Sequence, residues 1–149
     1  MAARPPGGEA DAGTAEGARA LVLHVDDDPA LRASLRLLLA SAGYRVVSAA
    51  DGVEALARVR RERLQPDVLI VDYHLTDEMS GTDAIEALAA ALGHAPPTVM
   101  LTADPMNVEV PWISGAPFWL VAKPFDGRVL LAGLNALVRF NRDTRAAAG

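Results

Sequence analysis

The stretch LVLHVDDDP, residues 21 to 29, runs from a short apolar segment directly into three consecutive aspartates, Asp26, Asp27 and Asp28. A continuous apolar run of this length, bounded by a turn signal, is typical of a strand buried within a sheet. Carboxylates gathered at the end of such a strand repel one another and lose favourable contact with water. The stretch therefore predicts a buried strand that ends where the clustered negative charge is compensated.

Segments with the pattern of buried strands alternate with amphipathic helical segments through the middle of the chain. Asp28 and Pro29 suit the cap and the first turn of the first helix. Val53, Leu56 and Val59 are predicted to face inward from the second helix. The predicted strands are 21–25, 44–49, 67–72, 98–102 and 118–123, and the predicted helices are 29–43, a segment from 52 onward, 82–92 and 126–140. This alternation predicts parallel strand pairing through right-handed crossovers in a three-layer α/β sandwich.

Proline interrupts the connection between the fourth and fifth predicted strands. The segment ADPMNVEVPWISGAP contains Pro105, Pro111 and Pro117, and proline removes a helical hydrogen bond and clashes with the preceding turn. The fourth helix is therefore predicted to be short or missing. We expect either that the apolar residues of this segment cap the core, or that the segment is an extended loop that binds a partner or a second copy of the chain through Trp112.

Composition limits the class of protein. The chain has 149 residues, a net charge of −5 and no cysteine, which excludes disulfides, thiolate catalysis and cysteine-ligated zinc. The negative charge argues against nucleic acid as a direct partner. No apolar run approaches the roughly 18 residues that a membrane span requires, and no signal peptide opens the chain. A cytoplasmic protein that does not contact a membrane is expected.

Both ends of the chain read as tails. Residues 1–19 contain no Leu, Ile, Val or aromatic residue and are rich in Gly, Pro and Ala, so they cannot bury enough apolar surface to offset the entropy lost on ordering. Residues 141–149 are similarly weak. We predict a disordered N-terminal tail over 1–19, one folded domain over 20–140 and a C-terminal tail over 141–149.

Polar residues are delivered to one edge of the predicted sheet. In a parallel sheet all strands end on the same edge, and ligands bind beyond those carboxyl ends. The strand ends carry Asp26, Asp27, Asp72, Thr102 and Lys123. Clustered carboxylates require a divalent cation, and an all-oxygen ligand set suits Mg²⁺. A carboxylate beside this metal can attack phosphorus to give an aspartyl phosphate, with the lysine and the threonine hydroxyl as partners of the phosphoryl oxygens.

Other candidate ligands have simpler interpretations. Asp28 is expected to act only as a helix cap, and Asp67, directly after Pro66, is interpreted as an exposed turn residue. His24 and His94 have no partner at metal-ligand spacing, which argues against a histidine metal site.

The segments HVDDDP, VLIVDYHL, MLTAD and AKPF, in this order, resemble the receiver domain of two-component response regulators across residues 20–140. The resemblance is to a single-domain receiver of the chemotaxis type or to the receiver of a hybrid kinase. It implies a flavodoxin-like (βα)5 fold with a five-stranded parallel sheet in the order 2-1-3-4-5.

The resemblance also implies a role for each site residue. Asp72 would be the phosphoacceptor, and Asp26, Asp27, Asp72 and the backbone carbonyl of His74 would bind Mg²⁺. The phosphoryl-binding and switch residues would be Thr102, Ala103 and Lys123, and the side chains of His74 and Asp104 would modulate dephosphorylation. The protein would be no enzyme beyond its own phosphorylation and slow autodephosphorylation.

Two residues depart from the pattern of the resembled family. Leu120, preceded by Trp119, occupies the position where that family often has an aromatic switch residue, and Thr76 occupies a position where proline is frequent. Trp112, Trp119 and Leu120 are predicted to form a partner surface.

The resemblance implies a histidine kinase or a histidine phosphotransfer protein as the phosphoryl donor, and a downstream protein target or a homodimer as the output. Two alternatives remain. A haloacid-dehalogenase-like phosphatase would use Asp26 and Asp28 as an Asp-x-Asp motif, but it leaves Asp72 without a role. A receiver-like interaction module that is not phosphorylated would not need all five site residues.

Overall fold

The computed structural model describes residues 19–76, 78–111 and 115–148. Five strands alternate with helices along the chain. They are β1 Leu21–Val25, α1 Pro29–Ser41, β2 Arg45–Ala49, α2 Gly52–Glu62, β3 Val68–Asp72, α3 Gly81–Leu92, β4 Thr98–Thr102, a 3₁₀ turn Pro105–Asn107, β5 Phe118–Ala122 and α4 Gly127–Ala148. The predicted N-terminal tail lies outside the described residues except for Arg19.

The five strands form one parallel sheet in the order β2-β1-β3-β4-β5. This order confirms the predicted flavodoxin-like arrangement. Because β1 and β3 lie side by side at its centre, the residues that follow them are neighbours at the C-terminal edge of the sheet. The strand order alone therefore brings the two acidic strand ends next to each other.

Both faces of the sheet are covered by apolar clusters. Leu23 and Val25 of β1 face a cluster that includes Ile85 and Leu88 of α3. Val22 of β1 faces the opposite cluster, which includes side chains of the first and last helices. Strands buried on both faces explain the unbroken apolar runs in the sequence.

Helix α1 begins as predicted. The Asp28 side chain accepts hydrogen bonds from the backbone N–H groups of Ala30 and Leu31, and Pro29 occupies the first turn. Asp28 is therefore a helix cap, as the sequence indicates.

The inward face of α2 agrees with the prediction at Leu56 and Val59 and differs from it at Val53. Gly52, Ala55 and Val59 are buried, whereas Val53 is 60% exposed. Successive residues of an α-helix are rotated by about 100°, so Val53 lies to one side of the face that starts at Gly52. A Cβ at Gly52 would overlap the Met79 sulfur, which shows how closely this face packs.

The connection between β4 and β5 contains no α-helix among its described residues, which confirms the prediction of a short or missing fourth helix. A 3₁₀ turn spans Pro105–Asn107. Val108 then packs against the core, while Met106 and Val110 are exposed. Val108 thus agrees with the expectation that these residues cap the core, Met106 and Val110 do not, and partner binding by the segment stays a prediction. Trp112 lies outside the described residues.

Glu109 fastens this connection to the sheet and to α3. Its backbone carbonyl accepts a hydrogen bond from the Thr82 hydroxyl, and its N–H donates to the Tyr73 hydroxyl at 3.1 Å. Tyr73 directly follows Asp72, the last residue of β3. The connection between β4 and β5 is thus hydrogen-bonded to Tyr73, the residue next to an acidic strand end.

The last helix extends beyond the predicted boundary at residue 140, as far as Ala148. Its final turns are rich in alanine and arginine, which favour helix, and Asn141 is buried. Arg142 Nε lies 3.4 Å from Asp67 Oδ1. The prediction of a tail from Asn141 onward missed this continuation, because its anchor lies far away in the sequence.

The interpretation of Asp67 as an exposed turn residue is wrong. Asp67 is buried, and its Oδ2 accepts the Leu21 N–H at 2.8 Å. The carboxylate thus completes the hydrogen bonding of β1 at the edge of the sheet opposite the acidic strand ends.

None of the helices within the described ranges is long and apolar enough to cross a bilayer.

Candidate functional site

Three carboxylates meet at the C-terminal edge of the sheet. Asp26 and Asp27 follow β1, and Asp72 ends the neighbouring strand β3. One oxygen of each carboxylate lies within 4.8 Å of one oxygen of the others. Asp26 and Asp72 are buried, and Asp27 is exposed. The structure therefore brings together the three aspartates that the strand ends predict.

Lys123 closes this acidic cluster from the edge strand. Its Nζ lies 2.9 Å from Asp72 Oδ1, with the lysine side chain 29% exposed and the aspartate side chain 7% exposed. Lys123 directly follows β5, so the ion pair joins the ends of two strands separated by β4. The Lys123 ammonium thus offsets part of the negative charge of the three clustered carboxylates.

The electrostatics of Asp72 reflect this imbalance. Burial raises the pKa of Asp72 above its ordinary value, and the Lys123 ammonium opposes this shift. The neighbouring charges of Asp26 and Asp27 raise the pKa further. An added cation would favour the ionised form of Asp72, because it would offset both the burial and the like charges.

The pKa of Asp26 is shifted in the opposite direction from that of Asp72. Burial acts to raise the pKa of Asp26, but the nearby His24 ring, a backbone N–H donor and Lys123 together hold it below its ordinary value. The backbone donor is the Asp28 N–H, which lies 2.9 Å from Asp26 Oδ1. Asp26 is thus kept ionised inside the protein, as a metal ligand must be.

Thr102 lies at the end of β4, between the two ends of the ion pair. It is fully buried, and its hydroxyl oxygen accepts the Asp104 N–H at 3.0 Å. The Lys123 N–H donates to the Thr102 carbonyl at 2.8 Å. Ala103 and Asp104 follow at the same edge and are exposed, and the Asp104 carboxylate accepts a hydrogen bond from Asn107 Nδ2 at 2.8 Å.

The remaining predicted site residues flank the acidic cluster. His74, two residues beyond Asp72, is exposed and makes an edge-to-face contact with the Tyr73 ring. Asp28 caps α1 and is not one of the clustered carboxylates. The pairing of Asp26 with Asp28 that a dehalogenase-like phosphatase needs is therefore not favoured.

Trp119 and Leu120 do not form one surface. They project to opposite faces of β5, where Trp119 packs with one apolar cluster and Leu120 with the other. A Cβ at Gly133 of α4 would overlap the Trp119 ring. Both side chains are half-buried. The predicted partner surface is thus not assembled from these two residues, and its third member, Trp112, lies outside the described residues.

The donor set fits Mg²⁺. All three clustered side chains offer carboxylate oxygens, the ligands that this ion prefers. Asp26 Oδ2 is buried and has no hydrogen-bond partner among the described residues, so a ligand or a donor is needed there. Asp27 is exposed, which leaves the cluster open to solvent on one side.

Two contacts of the site were missed in the sequence. His24 lies behind Asp26, with Nε2 3.7 Å from Oδ2; its place two residues before an acidic strand end, on the same face, was the available signal. Gly81 begins α3 against the Asp72 backbone, where a Cβ would overlap the Asp72 carbonyl. That close approach depends on the packing of α3 and has no local signal.

Comparison with known proteins agrees with this geometry. The model of the response regulator receiver domain matches residues 22–135. The chemotaxis protein CheY4 of Vibrio cholerae is similar in structure, with a TM-score of 0.65 and 33% identity over 80% of this chain and 99% of that one. The receiver domain of the sensor histidine kinase PA1611 from Pseudomonas aeruginosa, solved with magnesium in its active-site cleft, has a TM-score of 0.67 and 28% identity over 81% of this chain and 98% of that one.

A curated relative corrects one expectation. The DNA-binding response regulator MtrA of Mycolicibacterium smegmatis is 38% identical over 130 residues, which cover 86% of this chain and 54% of that protein. The chain thus spans about half the length of this relative. This relative is named as DNA-binding, which overturns the prediction that nucleic acid is not a direct partner. That prediction relied on net charge, and net charge describes only the segment of chain over which it is summed. The chain belongs to the response regulator receiver domain family.

Proposed function

We propose that the protein is a phosphoacceptor in two-component phosphotransfer and that Asp72 carries the phosphoryl group. The observation that supports this most directly is the Lys123 ammonium 2.9 Å from Asp72 Oδ1, beside two further carboxylates. A carboxylate next to one fixed cation and a cation-binding acidic pair has the partners that a nucleophile towards phosphorus requires.

The phosphoryl donor is a phosphohistidine of a kinase or a phosphotransfer protein. An Asp72 oxygen forms a bond to phosphorus as the N–P bond breaks, and the electron pair of that bond stays on the imidazole nitrogen, which takes a proton from solvent. Phosphoryl transfer depends mainly on positioning and on neutralising charge. Lys123 supplies one fixed positive charge at the acceptor.

Asp26, Asp27, Asp72 and the backbone carbonyl of His74 would hold Mg²⁺. When bound, this ion neutralises charge on the phosphoryl oxygens. The chain's own part is to keep Asp26 ionised in a buried position and to leave Asp27 accessible to solvent. Few protein ligands replace the waters of Mg²⁺ in such a site, so its binding is weak.

Thr102 and Lys123 would sense the phosphoryl group. The Thr102 hydroxyl and the Ala103 N–H are donors at the end of β4, and the Lys123 N–H already bonds the Thr102 carbonyl. The Thr102 hydroxyl would donate to a phosphoryl group on Asp72, and its movement towards that group would stretch the hydrogen bond that it accepts from the Asp104 N–H. The change would then pass into the segment that follows β4.

Hydrolysis ends the signal. Water attacks phosphorus, the bond between phosphorus and the Asp72 oxygen breaks, and the carboxylate and inorganic phosphate are released. The receiver family generally acts in this way on itself and not on a separate substrate. Its members are therefore better described as signalling proteins than as enzymes.

Incubation with acetyl phosphate and Mg²⁺ tests the proposal. Intact-protein mass spectrometry is expected to show one hydroxylamine-labile phosphoryl group on the wild type and none on Asp72→Asn. Asp28→Asn is the matched control, because it removes a neighbouring carboxylate that caps a helix and asparagine caps equally well. Labelling of Asp72→Asn at the wild-type level would show that another residue is the acceptor. Turnover of phosphate esters by the wild type would instead support a phosphatase.

A further inference from the structure

His24 is a polar residue in the most buried part of the sheet. It lies in the middle of β1, between Ser48 of β2 and Ile70 of β3 in the strand register, and it is 0% exposed. Residues in register on parallel strands project to the same face, so the Ser48 side chain lies on the same face as the His24 ring. The other residues of β1 are apolar.

Four buried polar atoms lie unpaired along this part of the sheet. Both ring nitrogens of His24, Asp26 Oδ2 and Ser48 Oγ have no hydrogen-bond partner within the described parts of the chain. Burial of polar atoms without partners is unfavourable, and an apolar residue at position 24 would avoid it. The presence of the ring thus calls for a compensating interaction.

Asp26 is the group that can compensate. His24 Nε2 lies 3.7 Å from Asp26 Oδ2, which is longer than a hydrogen bond of about 2.7–3.2 Å. If these two atoms approached each other by less than about 1 Å, the hydrogen bond would form. Hydrogen bonds at functional sites are often long until the ligand is bound. The other carboxylate oxygen, Oδ1, already accepts the Asp28 N–H at 2.9 Å.

We propose that His24 is a positioning residue for the magnesium ligand Asp26, and that Ser48 fixes the tautomer of its ring. The inference rests on the proposed magnesium site. A Ser48 hydroxyl donating to Nδ1 keeps the ring proton on Nε2, where it faces Asp26. One donor on each oxygen then fixes the plane of the carboxylate, while each oxygen retains a lone pair for the metal or its water.

Calorimetric titration with Mg²⁺ alone, on the full chain, tests the inference. His24→Leu, which fills a similar volume without a donor, is expected to bind Mg²⁺ about tenfold more weakly, the lower end of the range for lost outer-shell partners. His24→Gln places an amide nitrogen near the position of Nε2 and should recover most of the loss. Ser48→Ala should weaken binding by a smaller factor.

A stability control shows whether a general loss of core packing could by itself weaken Mg²⁺ binding. Val22→Ala, two residues earlier on the same face, should lower the melting temperature and leave Mg²⁺ binding unchanged. In acetyl phosphate labelling, His24→Leu should raise the Mg²⁺ concentration for half-maximal rate and leave the rate at saturating Mg²⁺ near that of the wild type. A fall only in the saturated rate would contradict a positioning role.

The outcomes separate this inference from the proposed function. Wild-type Mg²⁺ affinity in folded His24→Leu, together with weakened binding in Asp26→Asn, would overturn the role of His24 and leave the magnesium site in place. Unchanged binding in Asp26→Asn would overturn both. If His24→Leu does not fold, comparison of His24→Gln with His24→Asn decides, because asparagine places its amide near Nδ1. Tighter binding by the glutamine variant supports the inference, and equal binding overturns it.

Discussion

The Lys123 ammonium lies 2.9 Å from Asp72 Oδ1, so the candidate acceptor is already paired with a cation before any phosphoryl group arrives. The pairing opposes the effect of burial and of the neighbouring aspartates on the pKa of Asp72. A nucleophilic carboxylate must be ionised. Lys123 therefore has a role in the resting protein as well as in the phosphorylated one.

Lys123→Met is expected to raise the pKa of Asp72 further, because it removes the charge that favours the carboxylate. Carbon-detected NMR of the aspartate side chains against pH, without Mg²⁺, measures this shift. Lys123→Arg keeps the charge and should give a much smaller change. An unchanged titration of Asp72 in Lys123→Met would show that the ion pair is not formed in solution.

Asp72→Asn is expected to raise stability at neutral pH in the absence of Mg²⁺. The pKa of Asp72 in the folded protein lies above its ordinary value of 3.8, so the folded state binds the proton more tightly than the unfolded state. The wild type thus loses stability as the pH rises from about 4 through the folded-state pKa. The asparagine variant has no such loss, and its advantage should narrow as the pH falls towards 4.

Thermal unfolding between pH 3 and pH 8, in a chelator, measures the difference. Asp28→Asn again serves as the control, because its side chain is a helix cap outside the cluster. An equal gain in both variants would attribute the effect to net charge and not to repulsion at the site.

Asp67→Ala is expected to lower the free energy of unfolding by about 1–3 kcal/mol, the usual cost of leaving a buried donor unpaired. The donor is the Leu21 N–H, which bonds Asp67 Oδ2 at 2.8 Å. Urea denaturation measures the change. Asp143→Ala, which alters an exposed residue of the same helix as Arg142, should change little. A negligible effect of Asp67→Ala would mean that another group replaces the carboxylate.

Asp104→Ala is expected to lengthen the lifetime of the phosphorylated state severalfold. The Asp104 carboxylate is held by Asn107 at the edge of the site, where it can accept a hydrogen bond from the attacking water. His74→Ala should also alter the lifetime. Decay of the labelled protein after removal of acetyl phosphate measures both rates, and Glu78→Ala, an exposed acidic residue of the loop after β3, is the control. A shorter lifetime in Asp104→Ala would show that the carboxylate repels water and does not orient it.

The site was predictable to the extent that it follows from strand order. Asp26 and Asp72 meet because parallel strands share one C-terminal edge, and the strands themselves have unmistakable apolar runs. Asp28 was predictable as a cap, since its partners are the next turn of the same helix. Local pattern and sheet topology thus account for the position of the acidic cluster.

Features that depend on distant partners were not predictable. Asp67 is buried because it bonds Leu21, 46 residues away, and Arg142, 75 residues away. The same contact explains why the last helix continues past the expected boundary. Trp119 and Leu120 are adjacent in sequence, yet their surroundings are set by which layer of helices each one meets. No local pattern contains that information.

The hydrogen bond from the Glu109 N–H to the Tyr73 hydroxyl makes this amide a built-in reporter of the site. It belongs to the connection between β4 and β5, whose described residues contain no α-helix, but its acceptor is the side chain that directly follows Asp72. Any displacement of the backbone at Asp72 changes the length of this bond, and with it the chemical shift and exchange rate of one amide proton. The state of the site is therefore readable at a single amide resonance of the uniformly ¹⁵N-enriched protein, without an attached dye, a chromophore or a partner protein.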